Sequence, residues 1–344
     1  MGFENDAVHG GSVNKVLVTG GGGFIGLALT RELCGRGMDV RILGRHRYPA
    51  AVAAGATCLQ GDIRDLATVQ RAAAGCDTVF HVAAKAGIWG PFQEYFAVNV
   101  TGTLNVLAAC KKQGVQALVY TSTPSVVFDG LDLEGVDESI PYAAKPLCHY
   151  ATTKILAEQQ VLQANNSQLQ TIAIRPHLVW GPGDTNLIPR LMTRGREQSL
   201  RIVGDGTNLV DIAYIDNVVH AHLLAADNLH TTATAAGHAF FIGQQEPVSL
   251  WSWINELFIR MDVPKVNSRL SLGKAKTIGW LLEKVYGTLQ LEEEPKMTRF
   301  LAEQLALSHW FSKEKAKNLL GYSEKVTTEQ GVERLICWLH DGRL

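Results

Sequence analysis

Three glycines that follow a short apolar run near the start of the chain constrain its fold more than any other feature. The run is Lys15–Thr19, a helical pattern begins at Phe24, and the glycines are Gly20, Gly23 and Gly26. Glycines at this spacing allow a tight strand-to-helix turn and a close approach of the backbone to a pyrophosphate, which the helix N-terminus attracts. The turn therefore predicts a dinucleotide site, with a purely structural turn as the alternative.

Short apolar runs alternate with helical patterns through the first half of the chain. The predicted strands are Lys15–Thr19, Asp39–Leu43, Thr57–Gln60, Thr78–Val82, Ala117–Thr121 and Leu169–Ile174, and the predicted helices are Phe24–Arg36, Asp65–Ala73, Phe92–Lys112 and Tyr150–Ala164. Strands that alternate with helices form a parallel sheet covered on both faces. The expected fold class is α/β, a Rossmann-type doubly wound parallel sheet, with residues 15–180 as its dinucleotide-binding domain.

After Pro176 this alternation becomes irregular, and the turns Gly181–Gly183 and Gly204–Gly206 mark loops. We expect residues 181–344 to form mainly a smaller, mostly helical substrate lobe, with some segments returning to the sheet. Residues 1–14 are polar and Gly-rich without the apolar core of a signal peptide, which predicts a disordered tail.

Charge and cysteine content narrow the functional class. A formal net charge of -1 gives no reason to expect a nucleic-acid partner. The six cysteines lack the paired spacing of zinc or redox motifs, and His220 and His222 would point to different faces of a helix, so no metal site is predicted. No apolar stretch reaches the length of a membrane span, and a cytoplasmic protein is expected.

The end of the second strand indicates which dinucleotide is bound. An NAD enzyme usually places a carboxylate about 20 residues after the glycines, where it bonds the ribose 2′-hydroxyl. Here Gly44 ends the strand, and Arg45, His46 and Arg47 follow. A carboxylate would repel a 2′-phosphate, whereas a guanidinium binds it in a forked geometry. The sequence therefore favours NADP(H) with Arg45 as a phosphate ligand, against a merely solvated basic loop.

Asp62 follows the third strand at the predicted carboxyl edge of the sheet. Its carboxylate can accept a hydrogen bond from the adenine amino group at this edge. A role as the N-cap of the following helix is the alternative.

Tyr150 and Lys154 stand one helical turn apart, so their side chains share one face. A free tyrosine has a pKa of about 10 and exchanges protons poorly at neutral pH. A nearby ammonium stabilises the phenolate and lowers that pKa. Together with the glycine turn, the pair predicts an enzyme that transfers a hydride and handles the proton that accompanies it. Without the turn, the same two residues would be interpreted as structural parts of a helix.

Several hydroxyl residues follow the strand Ala117–Thr121, namely Ser122, Thr123 and Ser125. Ligands of open α/β sheets bind at this carboxyl edge, so one hydroxyl is expected to hold the substrate's carbonyl oxygen. Local bonding of each hydroxyl to the backbone is the alternative.

Taken in this order, the motifs resemble the extended short-chain dehydrogenase/reductase family and, within it, the 3β-hydroxysteroid dehydrogenase branch. The resemblance runs from about Lys15 to the C-terminus. Its markers are Val18–Gly26, Asn99–Val106, Tyr120–Val127, Tyr150–Lys154 and Arg175–His177.

The resemblance implies the roles of the individual residues. Tyr150 is the expected acid–base, and Lys154 tunes it and binds the nicotinamide ribose. The family's catalytic serine falls on Thr123, whose hydroxyl can donate the same hydrogen bond, with Ser122 as the second candidate. The expected cofactor contacts are Gly20, Gly23, Phe24, Ile25, Gly26, Arg45, Asp62, Ile63, Ala83, Ala84, Lys85, Asn99, Tyr150, Lys154, Pro176 and His177.

Two segments narrow the resemblance further. His81–Gly90 and Pro124–Gly130 resemble bacterial reductases that convert long-chain 2-alkyl-3-oxoalkanoic acids to 3-hydroxy acids with NADPH during olefin biosynthesis. Pro141–Pro146 and Arg175–His177 also resemble sterol-4α-carboxylate 3-dehydrogenases, so oxidation of a 3β-hydroxysteroid or sterol is the alternative function. A non-catalytic NADP-binding scaffold would have no need of the tyrosine–lysine pair.

The segment Gly204–Asp211 argues against a nucleotide-sugar substrate. Members of the family that act on such substrates present an arginine to the diphosphate after a Gly-Asp-Gly turn, and Val210 stands at that place here. An apolar side chain cannot bind a diphosphate. Aromatic residues instead favour a long, apolar keto acid or a sterol: Trp89, Phe92, Trp180, Trp251, Trp253 and Trp280.

The segment Ser271–Leu291 carries apolar residues at helical spacing, which make one stripe: Ile278, Leu281, Leu282, Val285 and Leu289. Three interpretations stay open, namely packing on its own domain, a lid over acyl chains, or a surface for a pathway enzyme or a membrane. Lys274, Lys276 and Lys284 suit a helix that lies at an interface. Family analogy also implies a homodimer.

Both expected substrates carry a carboxylate beside the reacting carbon. We hypothesise that a cation near the nicotinamide, Lys85 or His177, recognises it. Lys85 as a solvated surface residue is the alternative.

Overall fold

Seven parallel strands form the central sheet of the computed structural model, which describes residues 15–341; the predicted tail at 1–14 lies outside the described residues. The strands are β1 Lys15–Thr19, β2 Asp39–Gly44, β3 Thr57–Gln60, β4 Thr78–His81, β5 Ala117–Thr121, β6 Leu133–Val136, β7 Gln170–Pro176, β8 Val179–Trp180, β9 Ile202–Val203, β10 Leu209–Val210, β11 Ala213–Tyr214, β12 Ala239–Ile242, β13 Val248–Ser249, β14 Arg269–Leu270 and β15 His309–Phe311. The central sheet has the order β12-β7-β5-β4-β1-β2-β3.

Helices cover both faces of this sheet. They are α1 Phe24–Gly35, α2 Pro49–Ala53, α3 Leu66–Ala73, α4 Phe92–Tyr95, α5 Gly102–Gln113, α6 His149–Gln163, α7 Leu187–Arg196, α8 Ile215–His230, α9 Leu250–Arg260, α10 Leu272–Thr288, α11 Arg299–Ala306, α12 Glu314–Leu320 and α13 Thr328–His340. The order reverses between β1 and β4, and ligands of such sheets bind at this switch point. The predicted α/β class is confirmed.

Alternate residues of each strand face opposite layers of the core. On β1, Val16 and Val18 pack in the layer that holds residues of α1 and α8, whereas Leu17 packs in the layer that holds residues of α3, α5 and α6. All of these strand residues are fully buried. The sheet is therefore apolar on both faces, and we expect the polar residues of a functional site at the ends of its strands.

The helix predicted over Phe92–Lys112 is present but is not regular. Its middle turn, Phe96–Thr101, is a π-helix between α4 and α5. Such turns carry an extra residue and are frequent at functional sites. Asn99 lies within this turn, is buried, and faces the end of β4.

The C-terminal half has its own core, which is rich in tryptophan. Trp180, Trp251 and Trp253 are each at most 5% exposed and pack there with residues of α7, α9 and α13. Their role is therefore to stabilise this lobe, and they do not line a substrate cavity. The half-buried Phe24 and Ile25 of the glycine turn pack against the same cluster and join the turn to the lobe.

Helix α10 turns its apolar stripe away from the protein. Of the five stripe residues, Ile278, Leu281, Val285 and Leu289 are 41–63% exposed and Leu282 is half-buried, so most of this stripe does not pack on its own domain. The buried residues of α10 are Ala275 and Gly279, because the helix contacts the start of α11 too closely for larger side chains. A Cβ on Gly279 would lie 2.6 Å from the carbonyl carbon of Thr298. Among residues 15–341, no helix is both long and apolar enough to cross a membrane.

Candidate active site

In the glycine turn, close backbone packing requires glycine at two positions, whereas the third position leaves the backbone accessible. Gly20 has φ +70°, and a Cβ there would lie 2.8 Å from the Cα of Ala83. A Cβ on Gly26 would lie 2.1 Å from the carbonyl oxygen of Gly20. At Gly23, which caps α1, a Cβ would meet only the Gly20 oxygen, at 3.4 Å. The backbone at Gly23 is thus open to a ligand at the helix N-terminus, and a dinucleotide pyrophosphate fits this arrangement.

Asn99 holds the segment that follows β4. Its Oδ1 accepts a hydrogen bond of 2.7 Å from the Lys85 N–H, and its Nδ2 donates one of 3.1 Å to the Lys85 carbonyl. The same Nδ2 donates to the Thr153 hydroxyl on α6 at 3.0 Å. Asn99 therefore joins the end of β4, where Ala83 and Ala84 also lie, to the helix that carries Tyr150.

His81 forms a buried polar network that sequence reasoning missed. Its Nδ1 lies 2.8 Å from the Thr19 hydroxyl and its Nε2 lies 2.8 Å from the Thr103 hydroxyl. Because Thr103 donates its proton to the Asn99 carbonyl at 2.6 Å, it must accept from Nε2–H. Burial, with the nearby charge of Lys154, lowers the pKa of His81 to about 3. The sequence signal for this network was a histidine at the end of the fully buried strand β4.

Lys154 is tied to the end of β5. Its Nζ donates a hydrogen bond of 2.6 Å to the Thr121 carbonyl and lies 4.1 Å from the centre of the Tyr120 ring. The residue is 2% exposed. Burial lowers the pKa of Lys154 to about 7, although the negative charge of Glu158 opposes this shift.

Tyr150 is half-buried at the first turn of α6. Burial raises the pKa of Tyr150 to about 12, against a hydrogen bond with Thr123 that lowers it. The expectation of a lowered tyrosine pKa is therefore wrong for this structure, because the Lys154 ammonium bonds the Thr121 carbonyl and desolvation dominates. A raised pKa keeps the phenol protonated and makes it a hydrogen-bond donor at neutral pH.

The two hydroxyl candidates behave differently. Thr123 reaches Tyr150 and also caps the short 3-10 helix Pro124–Val126 by accepting from the Ser125 N–H at 3.2 Å, so its local bonding and its contact with Tyr150 coexist. Ser122 is 4% exposed, and its Oγ has no hydrogen-bond partner within the described residues. The structure thus brings Thr123, and not Ser122, to the tyrosine.

Arg45 and Asp62 lie close together beyond the ends of β2 and β3. Asp62 pairs with Arg64 at 2.7 Å; the hydrogen bond from Arg64 lowers the pKa of Asp62, and the charge of Arg45 lowers it further. The N-cap of α3 is Asp65, so the N-cap alternative for Asp62 is wrong. Arg45 is exposed and makes no ion pair within residues 15–341. Ile63 is buried against Gly102.

Two residues, His177 and Lys85, were proposed to bind the substrate carboxylate as cations, and their surroundings differ. His177 follows Pro176 at the end of β7, and its Nε2 lies 2.6 Å from Nδ1 of His309. Burial and the neighbouring His309 hold the pKa of His177 well below its usual range, so the hypothesis of a cationic His177 is wrong. Lys85 keeps its ammonium at the surface, 2.6 Å from the Glu94 carboxylate.

A cavity of about 660 Å³ lies beside the start of α6. The segment Ile88–Pro91 forms one wall and the end of α10 another, with His149 between them. Trp89 joins the two walls, since its Nε1 donates to the Leu291 carbonyl at 3.0 Å and its ring meets that of Tyr286 edge-on. This volume is typical of small-molecule sites. Val210, in contrast, is fully buried and offers nothing to a diphosphate.

A sequence profile of the 3-beta hydroxysteroid dehydrogenase/isomerase family matches residues 17–272. The 2-alkyl-3-oxoalkanoate reductase of Stenotrophomonas maltophilia (strain K279a) is 46% identical over 327 residues, which cover 93% of this chain and 98% of that protein. The decarboxylating sterol-4-alpha-carboxylate 3-dehydrogenase of Mus musculus is 34% identical over 337 residues, which cover 96% of this chain and 92% of that protein.

Solved structures share the fold. The crystal structure of gox2253 superposes with a TM-score of 0.76 at 26% identity and covers 96% of this chain and 98% of its own. MoeE5 in complex with UDP-glucose and NAD superposes with a TM-score of 0.74 at 24% identity and covers 96% of this chain and all of its own. The likeness to MoeE5 concerns the fold alone.

Proposed function

Since this chain belongs to the 3-beta hydroxysteroid dehydrogenase/isomerase family of extended short-chain dehydrogenases/reductases, we propose that it reduces a long-chain 2-alkyl-3-oxoalkanoic acid to the 3-hydroxy acid with NADPH. It is an oxidoreductase that uses a nicotinamide cofactor and interconverts a ketone and a hydroxyl group. The observation that carries the proposal is the 46% identity to a 2-alkyl-3-oxoalkanoate reductase over 98% of that protein. The sterol dehydrogenase of Mus musculus is more distant, at 34%.

Tyr150 is the proposed proton donor, and Thr123 the second hydroxyl at the substrate oxygen. When bound, the nicotinamide cofactor supplies the hydride that reduces the ketone carbon. The two hydroxyls hold the carbonyl oxygen and stabilise the negative charge that develops on it, and Tyr150 then protonates it. Burial raises the pKa of Tyr150 to about 12, so its phenol is protonated at neutral pH, as a proton donor must be.

The cofactor contacts proposed from the sequence form two groups, one for each end of the dinucleotide. Gly20, Gly23 and Gly26, with Phe24 and Ile25, form the pyrophosphate turn, while Arg45, Asp62 and Ile63 face the adenosine. Ala83, Ala84, Lys85, Asn99, Pro176 and His177 surround the nicotinamide, together with Tyr150 and Lys154. The open backbone at Gly23 and the unpaired guanidinium of Arg45 support this assignment.

The substrate is proposed to enter the cavity between Ile88–Pro91 and the end of α10. The acyl chains would lie there, with α10 as their lid and residues 181–341 supplying most of the lobe. We also propose that the protein is cytoplasmic and dimeric. The exposed stripe of α10, together with Lys274 and Lys284, would contact a pathway enzyme or a membrane surface.

One paired assay tests the proposal. Purified protein is given NADPH with a long-chain 2-alkyl-3-oxo acid and, separately, NAD with a 3β-hydroxysteroid, and nicotinamide absorbance is followed. NADPH consumption with the keto acid alone supports the proposal. Oxidation of the steroid with NAD would instead assign the chain to sterol metabolism.

A further inference from the structure

We infer that Tyr48 selects NADPH over NADH, by donating a hydrogen bond to the phosphate on the adenosine ribose. The inference rests on the proposed use of NADPH and adds a residue that no sequence pattern indicated. Tyr48 follows the basic turn after β2 and immediately precedes α2. It is half-buried, whereas its neighbours Arg45, His46 and Arg47 are exposed.

Two glycines form the slot that holds the Tyr48 ring. A Cβ on Gly22 would lie 1.9 Å from the ring Cδ1, and a Cβ on Gly44 would lie 2.5 Å from Cε2. One edge of the ring therefore rests on the dinucleotide turn and the other on the end of β2. Any other residue at either glycine would displace the ring, so both glycines act through the tyrosine.

The Tyr48 hydroxyl takes the place of the acidic side chain that NAD enzymes use. Its oxygen lies 2.9 Å from where a Cβ of residue 44 would be, which is within reach of a short acidic side chain at that position. A carboxylate there accepts from the ribose 2′-hydroxyl and repels a phosphate. A phenol hydroxyl can donate to a phosphate oxygen, and hydrogen bonds to charged groups are the stronger kind.

The Tyr48 hydroxyl is free to make this bond. Within residues 15–341 it has no hydrogen-bond partner, and the Tyr48 ring meets the ring of His46 at 6.4 Å between centres. Arg45 is the next residue after Gly44 and makes no ion pair in the same part of the chain. A hydroxyl and a guanidinium at the end of one strand together form a phosphate site.

Calorimetric titration of the purified protein with NADPH and with NADH tests the inference without turnover. Tyr48→Phe keeps the ring in its slot and removes the hydroxyl. We expect NADPH to bind about tenfold more weakly and NADH to bind unchanged. Gly44→Ala, whose Cβ would push the ring out, should lose the same discrimination while the hydroxyl is still present. Thermal melting checks that both variants fold.

The outcomes separate this inference from the proposed function. If the wild type prefers NADPH and Tyr48→Phe binds both cofactors as before, or loses both equally, the hydroxyl does not read the phosphate and the inference fails alone. Equal losses would mean that the hydroxyl contacts a part of the adenosine that both cofactors share. If the wild type prefers NADH, the NADPH part of the proposed function fails, and the inference fails with it.

Discussion

The ammonium nitrogen of Lys154 lies 2.6 Å from the carbonyl oxygen of Thr121, at the end of β5. This bond fixes the lysine to the sheet, one helical turn from Tyr150, in a place where water does not reach it. Burial lowers the pKa of Lys154 to about 7 and raises the pKa of Tyr150 to about 12, so at neutral pH the lysine is only partly charged while the phenol stays protonated.

Replacing Lys154 with methionine tests its charge through the pH dependence of stability. The pKa of Lys154 is about 7 in the folded protein and near 10.5 when unfolded. Between these values the unfolded chain binds a proton that the folded protein lacks, so stability from this group rises with pH. Relative to Lys154→Met, the wild type should gain about 1.4 kcal/mol per pH unit over this range. Urea unfolding of both proteins from pH 6 to about 9.5 measures the difference, and a flat difference would contradict the shift.

Tyr150→Phe should lower kcat by about 100-fold to 10,000-fold, the usual contribution of a general acid. The phenol ring stays, so the loss reflects the hydroxyl alone. NADPH affinity, measured by calorimetry, should stay within about twofold, since one ring hydroxyl among many cofactor contacts is removed. Retained turnover would falsify the role of Tyr150.

The identity of the second hydroxyl is decided by three variants. Thr123→Ala should lower kcat by about 100-fold to 1,000-fold, as loss of one donor at a developing oxyanion does. Thr123→Ser restores the hydroxyl and should recover most of the activity. Ser122→Ala is the matched control, because that hydroxyl is buried and has no hydrogen-bond partner within residues 15–341, and it should keep near wild-type kcat. The reverse pattern would transfer the role to Ser122.

Local patterns predicted the first six strands of the sheet and the face shared by Tyr150 and Lys154, because both follow from short periodicities. The seventh strand, β12, joins the sheet after an excursion of the chain through the lobe, so its pairing with β7 depends on long-range contacts. The raised pKa of Tyr150 and the neutral His177 depend on burial. The outward stripe of α10 depends on the close contact at Gly279. Such features appear only once the chain has folded.

His81→Leu tests the network that the sequence did not reveal. The variant leaves the Thr19 and Thr103 hydroxyls without the ring nitrogens, which should cost about 2 kcal/mol of unfolding free energy at pH 7.5. The folded pKa of about 3 lies below the usual 6.5, so the wild type alone loses stability as the pH falls below 6.5. The gap between the two proteins should therefore narrow from pH 7.5 to 5 in urea unfolding. A gap independent of pH would mean that the pKa of His81 is the same in the folded and the unfolded protein.

Lys85 and Glu94 give opposite predictions for substrate binding, provided that Lys85 recognises the carboxylate of the keto acid. Lys85→Ala should raise KM for that substrate about tenfold, because a charge-assisted hydrogen bond is lost. Glu94→Gln should lower KM, because it removes the carboxylate that lies 2.6 Å from the ammonium and competes with the substrate. The KM for NADPH is the internal control for Glu94→Gln and should not move there, since Glu94 is not among the proposed cofactor contacts. If both variants keep the wild-type KM for the keto acid, the carboxylate is bound elsewhere and Lys85 serves only its ion pair with Glu94.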